Sequence, residues 1–551
     1  MHIGLLQLNP VVGDISGNTN GIIEAAQALD ADLLVTPEMS ICGYPPRDLL
    51  CDKGFVHACE EAVLQIAQAC PSKTLLVGHP RVNQGTGRLR NSMSVIHNGE
   101  IVKVCDKQLL PSYDVFDEKR YFEAGESPGT FEVGGEVIGI ATCEDFWRGF
   151  DANVSAMYDI NPLEHFIEVG CTVLVSPSAS PFVTGKREAH IHYALEFAKN
   201  HGVTIAMCNQ VGGNDDLVFD GGSFVVSPKG MIGESPVFSM DSRSVDLRGS
   251  TFEPAFQCEN EERYHALVLG TRDYFTKTGH SNALIGLSGG IDSALVATIA
   301  VAALGKEHVT GVLMPSRFSS LGSVVDAEQL VRHLGIATVT LPIEHMHAAF
   351  ELTLEESCKE ATGIAGENAQ ARIRGLLLMA LANEQGSLVL ATGNKSELAV
   401  GYSTLYGDMD GAVSVIGDVY KTDVWVLSNW VNANDSLCGF ATPPIPEASI
   451  TKPPSAELRP EQCDQDSLPE YDELDSILRL HIDLDMDVDD IEDTLTLEFA
   501  LVTKIIRMVD IAQFKRDQAA VILKTSPRTF GRGRRMPIVM RRSWSTSRET
   551  T

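Results

Sequence analysis

Three side chains in the first half of the chain have the types needed for an amide-cleaving nucleophile, and each falls at the end of an apolar, strand-like run. Glu38 follows residues 33–36, Lys107 lies two residues beyond 101–105, and Cys143 stands at the tip of 137–142. A free thiol, with a pKa near about 8.5, is mostly protonated at neutral pH, so a neighbouring carboxylate must take its proton before sulfur can attack. An ammonium beside the pair can hold the thiolate and then the oxyanion of a tetrahedral intermediate. Taken singly, Glu38 also reads as a solvated loop acid, and Cys143 is one of 12 cysteines.

The second half offers a different chemistry. The apolar run 283–287, ending in Gly286 and Leu287, feeds a turn of Ser288, Gly289, Gly290, Ile291, Asp292 and Ser293, and an alanine-rich helical run follows to Leu304. Adjacent glycines let successive N–H groups curl inward, and the following helix adds its positive end, which makes an anion cradle. No GK[ST] follows, so this is not the Walker A loop. SGG alone also suits an ordinary turn before a helix. Asp292 and Glu397 are oxygen donors suited to Mg²⁺, which takes one or two carboxylates plus phosphate oxygens, although a helix-cap Asp and an exposed Glu fit the same letters.

Both groups need elements to place them. In the first half, strands are expected at 2–8, 33–36, 101–105 and 137–142 and a helix at 21–29; ligands of α/β sheets lie beyond the carboxyl ends of such strands. Regular periodicity fades between 240 and 262, and a linker is placed at 246–263 between units 1–245 and 264–551. A helix at 264–277 then leads into an alternation: strands at 283–287, 309–316, 337–343 and 388–391, with helices at 323–334, 344–359 and 369–383. That order predicts a doubly wound parallel sheet, which puts Met314, Arg317 and Thr392 beside the glycine loop. Arg372 and Arg374 fall near the start of the last helix. The proline-rich stretch 443–469 lacks periodicity and has the composition of a surface loop or a lid.

Composition bounds the partners. The chain has 551 residues, 43 basic against 74 acidic, for a net charge of −31, which argues against nucleic acid or an anionic membrane as the main partner. No apolar run reaches transmembrane length uninterrupted, the start lacks a basic segment before an apolar one, and no CxxC pair occurs; a cytoplasmic protein is expected. Cys51, Cys59, Cys70 and Cys171 suit small-hydrophobe packing.

The motifs also carry a resemblance. TPEMSICGYPP around Glu38, DKQLLP around Lys107 and TCEDFW around Cys143 resemble the Glu-Lys-Cys triad of the nitrilase, or carbon–nitrogen hydrolase, superfamily. SGGIDS resembles the PP-loop of ATP pyrophosphatases. VFDEKRYFEAG, SPSASPFVTGKRE, NQVGGNDDLVFDGGSF, MPSRFSS, GNKSELAVGYSTLYGD and DVYKTDVW resemble the glutaminase and synthetase domains of glutamine-dependent NAD synthetases over about residues 1–240 and 262–515. The fold this implies is α/β: an N-terminal nitrilase-like αββα sandwich and a C-terminal doubly wound parallel-sheet PP-loop domain. The implied reaction is ATP-dependent amidation of nicotinic acid adenine dinucleotide to NAD⁺ with ammonia from glutamine, the last step of NAD⁺ biosynthesis.

By the same resemblance, Tyr113, Ser180 and Lys186 hold glutamine, and residues 286–293 with Met314, Arg317 and Thr392 hold ATP. Asn368, Arg372, Glu397, Asp408, Lys421 and Lys515 contact the dinucleotide. Mg²⁺, a homo-oligomer, an enclosed ammonia passage and a lid at 443–469 are also implied. The chain departs from the family at its end, where residues 524–548 hold eight Lys or Arg and no acid.

Overall fold

The computed structural model describes residues 1–150, 156–356, 363–460 and 462–540. The last residues of the basic stretch, the end of the helix expected at 344–359 and residue 461 of the proline-rich stretch lie outside the described residues. The chain divides into two units, Met1–Glu262 and Arg263–Thr551.

The first unit is built on two six-stranded sheets. One runs Asp241–Asp246, His2–Gln7, Leu33–Val35, Leu75–Val82, Leu89–His97, Glu100–Asp106; the other runs Gly230–Glu234, Phe224–Ser227, Thr204–Asn209, Val173–Ser178, Glu136–Ile140, Gly129–Val133. Leu5, Val35 and Met93 of the first sheet meet Ile140, Val175 and Val225 of the second in a dry layer. Helices Ile15–Ala28 and Lys53–Ala69 cover the outer face of the first sheet through Ile22, Ala26, Val63 and Ile66. Helices Pro162–Glu168 and Lys186–His201 cover the second through Phe166, Ile191 and Ala194. This is the αββα sandwich expected. Residues 241–246 lack an apolar pattern because they form an edge strand, antiparallel to His2–Gln7, with mostly exposed side chains.

The second unit holds a six-stranded sheet that is parallel throughout. Its strands are Ala337–Thr340, Val309–Leu313, Ala283–Gly286, Leu388–Ala391, Val413–Ser414 and Val521–Ile522, the order 3-2-1-4-5-6 when numbered along the chain. The direction of winding reverses between Ala283–Gly286 and Leu388–Ala391, so a crevice opens beyond the carboxyl ends of these two strands. The glycine loop follows the first and Thr392 follows the second. Helix Ile291–Leu304 is apolar almost all round because it is enclosed on nearly every side. Helix Ile364–Gln385 packs on the opposite face through Ile373, Leu378 and Ala382. Helices Lys395–Val400, Tyr471–Leu478 and Phe499–Ile511 share a third core. No helix of the described residues is long and apolar enough to cross a membrane.

Candidate active sites

In the first unit, Lys107 directly follows strand Glu100–Asp106, and its fully buried ammonium lies 2.7 Å from Glu38 Oε1 and 2.8 Å from Glu118 Oε1. Glu38 Oε1 also accepts from Asn91 Nδ2 at 2.6 Å, and Glu38 Oε2 accepts from the Ala179 N–H at 3.3 Å. Glu118 Oε1 accepts from Tyr44 OH at 2.9 Å, while its Oε2 is buried without a hydrogen-bond partner. One cation thus faces two buried carboxylates. Burial pulls the Lys107 pKa down, but Glu118 and Glu38 outweigh it and hold the ammonium above the usual lysine range. Burial pushes Glu118 up to about 7 against the pull of Lys107.

Cys143 stands between strand Glu136–Ile140 and the short helix Glu144–Trp147, with φ of 47°. Few side chains are tolerated there, and such outliers concentrate at functional turns. Its N–H donates to Pro177 O at 3.0 Å, and the Asp145 carboxylate accepts from the Leu109 N–H at 2.7 Å, which ties this elbow to the segment after Lys107. Burial and then Glu38 push the thiol pKa up, and Lys107 only partly offsets them. The resting group is therefore a thiol, and attack by its sulfur requires a base.

Ser180 and Lys186 line one small recess together with Asn209 and Asp220. The Ser180 N–H donates to Asn209 Oδ1 at 2.9 Å, and Lys186 Nζ donates to Pro181 O at 2.7 Å. Tyr113 is not in that lining; its hydroxyl donates to Glu144 Oε2 at 3.0 Å, beside Cys143 in sequence. Arg187 pairs with Glu234.

The second unit has a cavity of about 340 Å³ at the switch of the sheet. Gly286, Leu287, Ser288, Gly290, Ile291, Asp292 and Ser293 line it, as do Met314, Thr392, Glu397, Asp408 and Lys421. The loop holds itself: the Gly290 N–H donates to Ser288 Oγ at 3.1 Å, and Ser293 Oγ donates to Gly290 O at 3.1 Å. Gly289 lies behind the wall with φ of +78°, where a Cβ would stand 2.2 Å from Ser323 O. Lys421 Nζ is 2.5 Å from Asp292 Oδ2 and 3.8 Å from Glu397 Oε1. Asn394 Nδ2 donates to Asp292 at 3.0 Å, and Asn394 and Glu397 form a capping box on helix Lys395–Val400. Burial and then Asp292 raise Glu397 to about 8, opposed by Lys421. Burial raises Asp408 to about 6.

Besides Gly289, four expected residues are not in this lining. Arg317 turns to Glu344 and Glu351, at 2.8 and 2.9 Å. Asn368 Oδ1 accepts from Thr404 Oγ1 at 2.9 Å, Arg372 Nε donates to Leu405 O at 3.2 Å, and Lys515 Nζ donates to Gly401 O and Ser403 O at 2.7 and 2.6 Å. These three gather on the 401–405 turn. Part of the proline-rich stretch lines the cavity through Lys452, Glu457 and Asp464, and Glu457 accepts from Ser320 Oγ at 2.9 Å and Ser323 Oγ at 2.7 Å. Sequence reasoning missed Glu118, Asn91, Glu457 and Asp464. Glu118 lies inside the motif VFDEKRYF, but nothing in spacing separates it from the acids beside it.

Comparison with known proteins agrees with the geometry. The NAD synthase family matches residues 263–519 and the carbon–nitrogen hydrolase family matches 2–236. The chain is 46% identical to the glutamine-dependent NAD(+) synthetase of Synechocystis sp. over 97% of this chain and 98% of that one, and 39% identical to that of Thermotoga maritima over 98% and 99%. Among solved structures, a glutamine-dependent NAD⁺ synthetase from Acinetobacter baumannii in complex with adenosine diphosphate is similar at TM-score 0.76 and 37% identity, with 98% of each chain covered. One from Cytophaga hutchinsonii, at 22% identity and TM-score 0.82 with 98% of each chain covered, shares the fold. With a Glu-Lys-Cys cluster in one unit, a glycine-loop cavity in the other and relatives aligned across both, the chain belongs to the glutamine-dependent NAD⁺ synthetase family.

Proposed function

We propose that this chain makes NAD⁺ by amidating nicotinic acid adenine dinucleotide, using ATP and ammonia cut from glutamine, and releases AMP, pyrophosphate and glutamate. The observation that carries the reading is that one chain holds both sets of groups: a buried Glu38–Lys107 pair in the unit that carries Cys143, and a cavity of about 340 Å³ lined by Ser288, Gly290, Asp292, Glu397 and Lys421.

In the first unit, Glu38 takes the Cys143 proton and sulfur attacks the side-chain amide of glutamine held near Tyr113, Ser180 and Lys186. Lys107 stabilises the oxyanion. As the tetrahedral species collapses, the C–N bond breaks, Glu38 returns the proton to the departing ammonia, and a thioester remains. Water, deprotonated by Glu38, cleaves the thioester and frees glutamate.

In the second unit, the glycine loop holds the ATP phosphates through its N–H groups and the N-terminal end of Ile291–Leu304. The dinucleotide carboxylate attacks the α-phosphorus, pyrophosphate leaves, and ammonia then attacks the acyl carbon as AMP departs. Asp408 and Lys421 orient the substrate within the cavity, while Asn368, Arg372 and Lys515 would reach it from the 401–405 turn and Arg317 would reach ATP by leaving Glu344. Asp292 and Glu397 would hold Mg²⁺: two oxygen donors lining the same cavity as the glycine loop fit that ion. When bound, Mg²⁺ supplies charge neutralisation at phosphate oxygens. The reading includes a homo-oligomer in the cytoplasm, which size-exclusion with light scattering and cell fractionation test.

The deciding experiment is Cys143→Ala. Glutamine-supported NAD⁺ formation should vanish while ammonia-supported formation stays within about twofold, because the nucleophile belongs only to the first chemistry. Loss of both would overturn the two-site scheme.

A further inference from the structure

Lys421 opens helix Lys421–Ala433, and its preceding residue, Tyr420, offers no side-chain cap. The first N–H groups of a helix need acceptors, and here they come from elsewhere. The Lys421 N–H donates to Ser396 Oγ at 2.9 Å, and the Thr422 N–H donates to Asp475 Oδ2 at 2.8 Å. Thr422 Oγ1 donates to the same oxygen at 2.8 Å, and Ser396 Oγ donates to the other one, Asp475 Oδ1, at 2.5 Å. Asp475 is 1% exposed and sits on helix Tyr471–Leu478. Ser396 precedes Glu397 on helix Lys395–Val400.

One buried carboxylate therefore accepts hydrogen bonds from the first turns of two helices, and each of these turns carries one wall of the cavity: Glu397 next to Ser396, and Lys421 next to Thr422. A carboxylate that accepts at a helix N-terminus makes short, strong bonds, and here they fix the backbone from which Lys421 reaches Asp292 at 2.5 Å. Arg479 Nη2 joins the same end of the helix at 2.8 Å from Asp423.

We propose that Asp475 is the positioning residue of the synthetase site: by binding Ser396 and Thr422 through its two oxygens, it fixes Lys421 and Glu397 relative to each other for the ATP-dependent step. The proposal rests on the synthetase reading above, and ammonia-supported NAD⁺ formation by the unmodified chain tests that reading separately.

Asp475→Asn keeps the size of the side chain but exchanges one accepting oxygen for an N–H donor, so Ser396 and Thr422 cannot both be served. With ammonia as nitrogen source, kcat should fall about 10- to 100-fold, the cost typical of misplacing a reacting group by about an ångström, while KM for ATP moves less than about threefold. The decisive readout is a double-mutant cycle with Lys421→Met. If Asp475 acts through Lys421, adding Asp475→Asn to Lys421→Met should change kcat by less than about twofold. Should Asp475→Asn not fold, Ser396→Ala and Thr422→Val each remove one donor and go through the same cycle. A structural role alone would lower the melting temperature and multiply the loss in the double variant, and that additivity would overturn the proposal, as would an unchanged kcat in the single variant. If the unmodified chain makes no NAD⁺ from ammonia and ATP, the synthetase reading itself falls.

Discussion

Glu118→Gln isolates a charge without disturbing a shape. The amide oxygen can still accept from Lys107 Nζ and Tyr44 OH, the two donors that Glu118 Oε1 serves at 2.8 and 2.9 Å. What disappears is one negative charge facing Lys107. At 2.8 Å with an effective dielectric of about 20, that charge is worth at most about 6 kcal/mol, and a relaxed site keeps a fraction of it. With Glu118 neutral, Lys107 directs its whole charge at Glu38, and the tighter ion pair, 2.7 Å long, holds the Glu38 carboxylate back from the Cys143 proton. A loss of about 3 kcal/mol, roughly 100-fold in kcat/KM for glutamine hydrolysis at pH 8.5, is the expected result. The pH profile sharpens the test. Burial pushes the Glu118 carboxyl up to about 7, so the unmodified enzyme should gain glutaminase activity as pH rises through 7 and this carboxyl loses its proton. The variant, locked in the uncharged form, should lack that limb. Glutamate release followed from pH 6 to 8.5 checks both outcomes. A variant within twofold of the parent that keeps a limb near pH 7 would refute the assignment of that limb and the argument about Lys107.

Two other outcomes follow from the same structure. Gly289→Ala places a Cβ at φ +78° and 2.2 Å from a backbone oxygen that belongs to helix Leu321–Leu334; the left-handed backbone alone costs about 1–2 kcal/mol, so ATP affinity by calorimetry should drop at least about tenfold, and an affinity within twofold would show that the loop shape is not required. His79 is buried in strand Leu75–Val82 with both ring nitrogens bonded, to Pro80 O and Ser94 Oγ, and burial lowers its pKa to about 4. The unfolded histidine, near about 6.5, binds a proton that the folded one refuses, so stability is full above 6.5 and falls with acid, by about 2 kcal/mol at pH 5. Denaturant melts at pH 7 and pH 5 should show that loss, and His79→Gln should remove it; an equal slope in both proteins would contradict the burial argument.

Local sequence determined much of this protein. Strand, glycine turn and alanine-rich helix were readable at 283–304 because their periods and turn chemistry are local properties of the chain, and the structure places them at Ala283–Gly286 and Ile291–Leu304. Glu38, Lys107 and Cys143 were legible because each follows an apolar run, and strand ends are where α/β folds expose reactive groups. Composition could not reveal the edge strand Asp241–Asp246, whose pairing with His2–Gln7 needs backbone bonds across more than 200 residues and no apolar face.

Tertiary structure decided what those groups face. Glu118 is one of several acids in its stretch, and only the fold brings its Oε1 to 2.8 Å from Lys107. Asp475 lies on a helix whose letters read as an ordinary amphipathic surface, yet it is enclosed and accepts from two other helices. The fold likewise separates Arg317, Asn368, Arg372 and Lys515 from the cavity lining that Asp408 and Lys421 share. The physical reason is the same in each case: residue type and period report on a segment's own backbone and burial, whereas a site's electrostatics depend on distances of a few ångströms between segments far apart in sequence, which packing alone sets.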